Sequence, residues 1–167
     1  MNRIGKFEKV SYTEYDKARA SASESEWKAI YEGIRLPVRA TEGSAGYDFF
    51  SPYDIKLNPG ETITIPTGIR AKIDNGWVLM LFPRSGLGFK FRLQLDNTVG
   101  VIDSDYYNSE NEGHIFCKIT NCSLNNKTVT IEKGKGFCQG VFLPYGITED
   151  DTCTNERNGG FGSTDKK

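Results

Sequence analysis

Histidine is almost missing from this 167-residue chain; His114 is the only one. The cysteines, Cys117, Cys122, Cys138 and Cys153, form no C-x-x-C pair. A zinc site wants closer ligand spacing, so reduced thiols in strands and loops are expected instead. Long hydrophobic runs are also lacking, and nothing approaches the length of a membrane span. The N-terminal MNRIGKFEKV has no apolar stretch of the kind a secretory signal carries, so a cytoplasmic setting is expected. In that setting the NCS and NKT triplets are not read as glycan acceptors. An excess of either charge is missing too, since 21 Lys and Arg stand against 22 Asp and Glu. Stable nucleic-acid binding is therefore not expected, although a small anionic ligand needs only local charge.

What is present fits one domain with a real core. Residues 1–35 read as a helical extension. Trp27, Ile30, Tyr31 and Ile34 recur at helical spacing, and Ser23 with Glu26 forms a capping-box pattern. Pro37 bars further helix and pushes Leu36 towards extended backbone. The apolar stripe is expected to pack on the main domain rather than on a partner, because such short helices are stabilised by packing. From residue 36 to 150 the pattern is strand and turn. Ile63 and Ile65 share a face, as do Ile69, Ala71 and Ile73, and then Trp77, Leu79 and Leu81. Asn75-Gly76 reads as a type I′ hairpin turn. The fold class is thus all-β, a barrel or double-sheet roll of many short strands. Residues 151–167 end in RNGGFGSTDKK, a flexible Gly-rich tail in which Phe161 is a large apolar side chain with no obvious core to join.

Three stretches place polar residues and glycine where a core would want aliphatics. In SAGYDFFSP, Gly46 permits unusual backbone angles and Asp48 interrupts an apolar run; taken alone, this stretch reads as a strand entry with an Asp turn. In PRSGLGFKF, a strand opens into Arg84, Ser85, Gly86 and Gly88. It offers a guanidinium, a hydroxyl and backbone N–H groups, the donors that phosphate oxygens take. The P-loop spacing is absent. In DNTVGVIDSDYYNSENEG, strand alternation would put Asp103 and Asp105 on one side and Ser104 and Tyr106 on the other. Carboxylates and a tyrosine beside a glycine hairpin suit water activation next to a sugar or base. A surface turn rich in Asp and Asn is the plainer alternative.

Together these stretches resemble the ordered motifs of the trimeric dUTPase family. AGYDFFSP, PRSGLG, NTVGVIDSDY, GFCQGVFLPY and RNGGFGST occur in the family's order across roughly residues 35–165. The resemblance implies a jelly-roll-like (β-clip) fold assembled as a homotrimer with shared active sites. It also implies Mg²⁺-dependent hydrolysis of dUTP to dUMP and pyrophosphate, which keeps uracil out of DNA and supplies dUMP for dTTP synthesis. On this resemblance Asp103 activates water for attack at the α-phosphorus, and Tyr106 lies under the deoxyribose and excludes a 2′-hydroxyl. Asn97 with the backbone at Val99, Gly100 and Val101 reads uracil. Arg84, Ser85, Gly86 and Gln139 contact phosphates, and Asp48 reaches Mg²⁺ through water. Arg157 clamps phosphate, Phe161 covers the base, and Gly162 and Ser163 donate backbone N–H groups as the tail closes.

The chain departs from the family pattern in several places. Arg157 is followed directly by NGGF, one residue short of the usual spacing. The loop after Tyr106, YNSENEG, is longer and has no arginine. Gly136 and Cys138 stand where arginine and alanine are frequent, and Cys138 is expected to be a small buried thiol. Residues 1–35 lie outside the shared region. The alternatives are a dCTP deaminase-related enzyme, a nucleotide-gated protein that binds a regulatory partner, and a purely structural β-roll. The DSDY and GGFGST segments favour dUTPase over the first.

Overall fold

The computed structural model describes residues 2–155 and Arg157; Phe161, Gly162 and Ser163 lie outside the described residues. Most of the chain's apolar alternation becomes short antiparallel strands. The strands are β1 (Gly5–Lys9), β2 (Val38–Arg39), β3 (Tyr47–Phe50), β4 (Ile55–Leu57), β5 (Thr62–Pro66) and β6 (Ile69–Ile73), then β7 (Trp77–Pro83), β8 (Leu93–Leu95), β9 (Gly100–Ile102), β10 (Phe116–Asn121), β11 (Val129–Ile131) and β12 (Gly136–Pro144). The helices are α1 (Tyr12–Asp16), α2 (Glu24–Glu32) and α3 (Ser85–Phe91), with a 3-10 turn over Asp105–Asn108.

The largest sheet runs β2-β3-β12-β7-β9, and a second runs β5-β10-β8. The pairs β1-β6 and β11-β4 complete the set. The alternating positions do what their period demands. Ile69, Ala71 and Ile73 are buried on one face of β6, and Leu79 and Leu81 on one face of β7. Ile65, Phe49, Ile119 and Phe137 join them in a single core.

The first 35 residues contain the two short helices and also a strand that the sequence reading did not anticipate. β1 pairs along its whole length with β6, Gly5 opposite Ile73 and Lys9 opposite Ile69. Its sequence, GKFEK, has one apolar residue, Phe7, whose ring meets Phe49 and Tyr47. Ser23 caps α2 in a full capping box with Glu26. Trp27 is buried and stacks on Tyr15, ring centroids 4.7 Å apart. The indole N–H donates to the Tyr15 carbonyl, and the Tyr31 hydroxyl donates to the Val10 carbonyl.

Two local expectations are corrected. Asn75-Gly76 does not close a type I′ hairpin. Gly76 has φ +81° but Asn75 does not have positive φ, and the Trp77 N–H donates to the Asp74 carbonyl at 3.2 Å. The strands it joins belong to different sheets, β6 pairing with β1 and β7 with β12 and β9. A turn passing between layers is free of the twist-matching that selects type I′ in a hairpin. The strand over Asp103–Tyr106 also fails to continue. β9 stops at Ile102, and Asp105–Asn108 winds into the 3-10 turn.

Candidate active site

The turn between β8 and β9, which belong to different sheets, is tight. The Thr98 N–H donates to the Leu95 carbonyl at 2.9 Å, and the Val99 N–H to the Asn97 carbonyl at 2.7 Å. Thr98 sits at φ +65°, a left-handed conformation that a β-branched residue adopts only under constraint. Gly100 opens β9 opposite Leu81, and a Cβ there would lie 3.1 Å from the Leu81 Cβ. Glycine therefore lets β9 lie close against β7. Asn97, Gly100 and Val101 line one cavity of about 450 Å³, with Leu95, Phe116 and Lys118 on its other walls. Its lining is mostly apolar with a few polar groups, the composition of a small-molecule pocket.

Beyond β9 the chain turns, and Asp103 and Asp105 reach the same guanidinium. Arg157 places Nη2 2.5 Å from Asp103 Oδ2 and Nε 3.1 Å from Asp105 Oδ1. Its Cζ lies 5.6 Å from the centre of the Tyr106 ring. The aspartates thus share a side even though the strand has ended, because the 3-10 turn rather than alternation aims them. Tyr106 is buried, at 4% exposure. Its hydroxyl donates to the His114 carbonyl at 2.7 Å and accepts from Asn111 Nδ2 at 2.8 Å. Burial is the main reason its phenol is pushed above the usual tyrosine pKa.

A second cluster forms at the other end of the largest sheet. Asp48 on β3 lies opposite Gln139 on β12, and Arg84, just past β7, places Nε 3.3 Å from Asp48 Oδ1. Gln139 Nε2 donates to the Pro83 carbonyl at 3.4 Å. Glycines make the room. A Cβ on Gly46 would meet Gln139 Oε1 at 2.5 Å, and one on Gly136 would meet Arg84 Nη1 at 2.7 Å. Gly46 has no positive φ, so its role is space and not the unusual backbone expected from sequence. Arg84 is the N-cap of α3, and Ser85 and Gly86 form its first turn. N–H groups of a first turn have no intrahelical acceptor and can face an anion. That helix was not foreseen, since Gly86 and Gly88 are poor helix formers.

The structure brings Asp48, Arg84 and Gln139 together, and separately Asp103, Tyr106 and Arg157. It does not join the clusters within one chain. Asp103 lies just past Ile102, which pairs with Leu79, whereas Gln139 pairs with Phe82 and Asp48. At about 4.8 Å per strand step and 3.3 Å per residue, Asp103 and Asp48 are roughly 20 Å apart along the sheet.

The family model described as dUTPase matches residues 32–165. The chain belongs to the dUTPase family. The deoxyuridine 5'-triphosphate nucleotidohydrolase of Lactococcus lactis subsp. lactis is 46% identical over 135 residues, which cover 79% of this chain and 89% of that protein. The corresponding protein of Cronobacter sakazakii is 38% identical over 146 residues, 83% of this chain and 91% of that one. The crystal structure of dUTPase from Streptococcus mutans superposes with a TM-score of 0.64 at 37% identity, covering 86% of this chain and 98% of the other.

Among the described residues of this dUTPase, no group of three or more His, Cys, Asp or Glu converges to hold a metal ion. That donor set fits magnesium arriving on a triphosphate. Mg²⁺ keeps several waters and is usually held by one or two carboxylates plus phosphate oxygens rather than by an all-protein cage.

Sequence reasoning missed the residues behind Tyr106. His114 is fully buried, and its Nε2 accepts from the Gly68 N–H at 3.0 Å. The proton must therefore sit on Nδ1, which lies 3.9 Å from Glu14 Oε1. That separation is beyond hydrogen-bond reach, burial depresses the imidazole to about 4, and a protonated Nε2 would oppose the Gly68 N–H. His114 is therefore neutral at physiological pH. The signal in the sequence was that the single histidine directly follows the loop that Gly113 closes.

Proposed function

We propose that the site works as follows. Water held by the Asp103 carboxylate attacks the α-phosphorus of dUTP, its proton passes to Asp103, and the bond to the bridging oxygen of the leaving pyrophosphate breaks. Family membership makes the chain a dUTP nucleotidohydrolase, an enzyme of nucleotide metabolism. The observation that carries the residue assignment is one grouping. An exposed carboxylate, Asp103, stands beside a buried tyrosine ring, with Arg157 spanning both. A carboxylate within hydrogen-bond reach of water is a competent general base. The ring of Tyr106 would floor the deoxyribose with no room for a 2′-hydroxyl, and Asn97 with the backbone at Val99, Gly100 and Val101 would read uracil. A pocket that pairs one polar edge rejects cytosine because buried groups would be left unpaired.

Arg84, Ser85, Gly86 and Gln139 would hold the phosphate chain, with Asp48 reaching Mg²⁺ through water. The ion, when bound, neutralises charge on the triphosphate and on the leaving pyrophosphate. Arg157 can exchange its carboxylates for phosphate oxygens, since a guanidinium pairs equally well with both. The separation of roughly 20 Å between Asp103 and Asp48 supports a site shared between chains, and the family resemblance makes that assembly a homotrimer.

The test is pyrophosphate release with Mg²⁺ and, separately, dUTP, dCTP, UTP and dTTP. Release from dUTP alone supports the reading, and turnover of dCTP overturns it. Mixing Asp103→Asn chains with Arg84→Ala chains tests sharing. Recovered activity requires that the residues act from different chains.

A further inference from the structure

The family match begins at residue 32, and the segment before it is bound to the loop that follows Tyr106. Glu112, in the loop, accepts from the Ser11 N–H at 2.7 Å and from Ser11 Oγ at 2.6 Å. Ser11 in turn caps α1, its Oγ accepting from the Glu14 N–H at 3.1 Å. Tyr107 donates to Glu8 on β1. Arg70 on β6 lies 3.5 Å over the Tyr107 ring and donates to the Tyr107 carbonyl at 2.6 Å. The loop closes on Gly113 at φ +70°, where a Cβ would meet the Tyr106 carbonyl at 2.8 Å. Inside the closed loop Asn111 faces inward. Its Nδ2 donates to the Tyr106 hydroxyl at 2.8 Å, while its Oδ1 accepts from the Gly113 N–H at 3.2 Å.

We infer that Asn111 is a positioning residue for Tyr106, and that the N-terminal segment holds the loop that carries it. The inference rests on the proposal that the Tyr106 ring is the sugar floor. A floor that rejects one extra hydroxyl must not recede when UTP presses on it. The ring is set from behind by its hydroxyl, fixed between Asn111 and the His114 carbonyl. That carbonyl is held by the loop's closing turn, in which the His114 N–H donates to the Asn111 carbonyl at 3.0 Å. Base reading falls on the 97–101 turn in the proposed site, so sugar and base selectivity should respond to different mutations.

The experiment measures kcat/KM for dUTP, UTP and dCTP with Asn111→Ala, Tyr106→Phe, their double variant and Tyr106→Ala. Asn111→Ala should lower the dUTP-to-UTP ratio by roughly five- to tenfold, the worth of one neutral hydrogen bond. The change should come mainly through a lower KM for UTP, with the dUTP-to-dCTP ratio unchanged. In the dUTP-to-UTP ratio the two single effects should be less than additive in the double variant, because the two substitutions share the Asn111–Tyr106 bond. A purely structural role for Asn111 would lower thermal stability and leave that ratio alone. If Asn111→Ala fails to fold, Glu112→Gln loosens the anchor instead and should move the same ratio in the same direction. A wild-type ratio in the folded variant, with the ratio lost in Tyr106→Ala, overturns the positioning role and leaves the sugar floor standing. An unchanged ratio in Tyr106→Ala removes the sugar floor and the inference with it.

Discussion

Tyr106 and Arg84 belong to the same proposed site and are held in opposite ways. Tyr106 is 4% exposed, its hydroxyl bonded on both sides and its loop tied to the N-terminal segment. The Arg84 side chain is 45% exposed, and its ion pair with Asp48 is a single 3.3 Å contact. The difference follows from what each would recognise in the proposed site. Excluding a hydroxyl requires a wall that cannot yield, which means burial and neutral hydrogen bonds with fixed directions. Gripping a triphosphate requires charges that can change partners, which means solvent access and long side chains. The wall couples to the stability of the fold, and the grip does not.

The comparison can be broken most sharply at the chemistry that lies between the halves. Asp103→Asn should lower turnover by roughly 10²- to 10⁴-fold, the usual worth of a general base. Affinity for a non-hydrolysable dUTP analogue, measured by calorimetry, should stay within a few-fold. A near-normal rate would remove Asp103 from its role. Next come the paired variants. Tyr106→Ala should cost about 3–4 kcal/mol of folding stability, as for other buried aromatics, and should loosen discrimination against UTP. Arg84→Ala should cost less than about 1 kcal/mol, since it loses only a solvent-screened pair, while raising the KM for dUTP about tenfold or more. Urea titration and steady-state kinetics on both variants would show whether stability and affinity separate in this way.

A pH titration sharpens the same contrast on the buried side. His114 has its folded pKa depressed to about 4 from 6.5. Between these values the unfolded chain binds the extra proton, so the stability that neutral His114 supports is complete above about pH 6.5 and is lost as pH falls towards 4. The loss approaches about 3 kcal/mol. It should appear as the difference between wild type and His114→Asn in denaturant titrations at pH 7 and 4.5; parallel curves would sink it. The smallest effect is expected at the anchor. Ser11→Ala removes the cap of α1 and one of the bonds to Glu112, and should cost about 1 kcal/mol by thermal melt.

Legibility in the sequence tracked how local each cause was. The capping box of α2 and the buried alternation of β6 and β7 could be read directly, because both depend on neighbours a few residues away. The dUTPase motifs could be recognised because their order is preserved. β1 could not be read, since GKFEK has a single apolar residue and becomes a strand only because β6 offers it an edge. The turn at Asn75-Gly76 was misread because its type depends on whether the flanking strands pair. Gly46 and Gly136 looked like conformational glycines or gaps in a motif. Their role, clearing space for Gln139 and Arg84, exists only across strands distant in sequence.

By itself the sequence determined the strand-rich class, the start of α2, and the chemical types in the site: a carboxylate, a tyrosine, an arginine-serine-glycine strand end. These follow from residue chemistry and short-range periodicity, which a linear text carries in full. Only the tertiary structure decided that Tyr106 is locked by Asn111 and His114, and that the long loop and the N-terminal segment support each other. Only it decided that Asp103 stands far from Asp48 on the same sheet. Those facts depend on sheet order and register, set by which strands bury their apolar faces together across the whole chain.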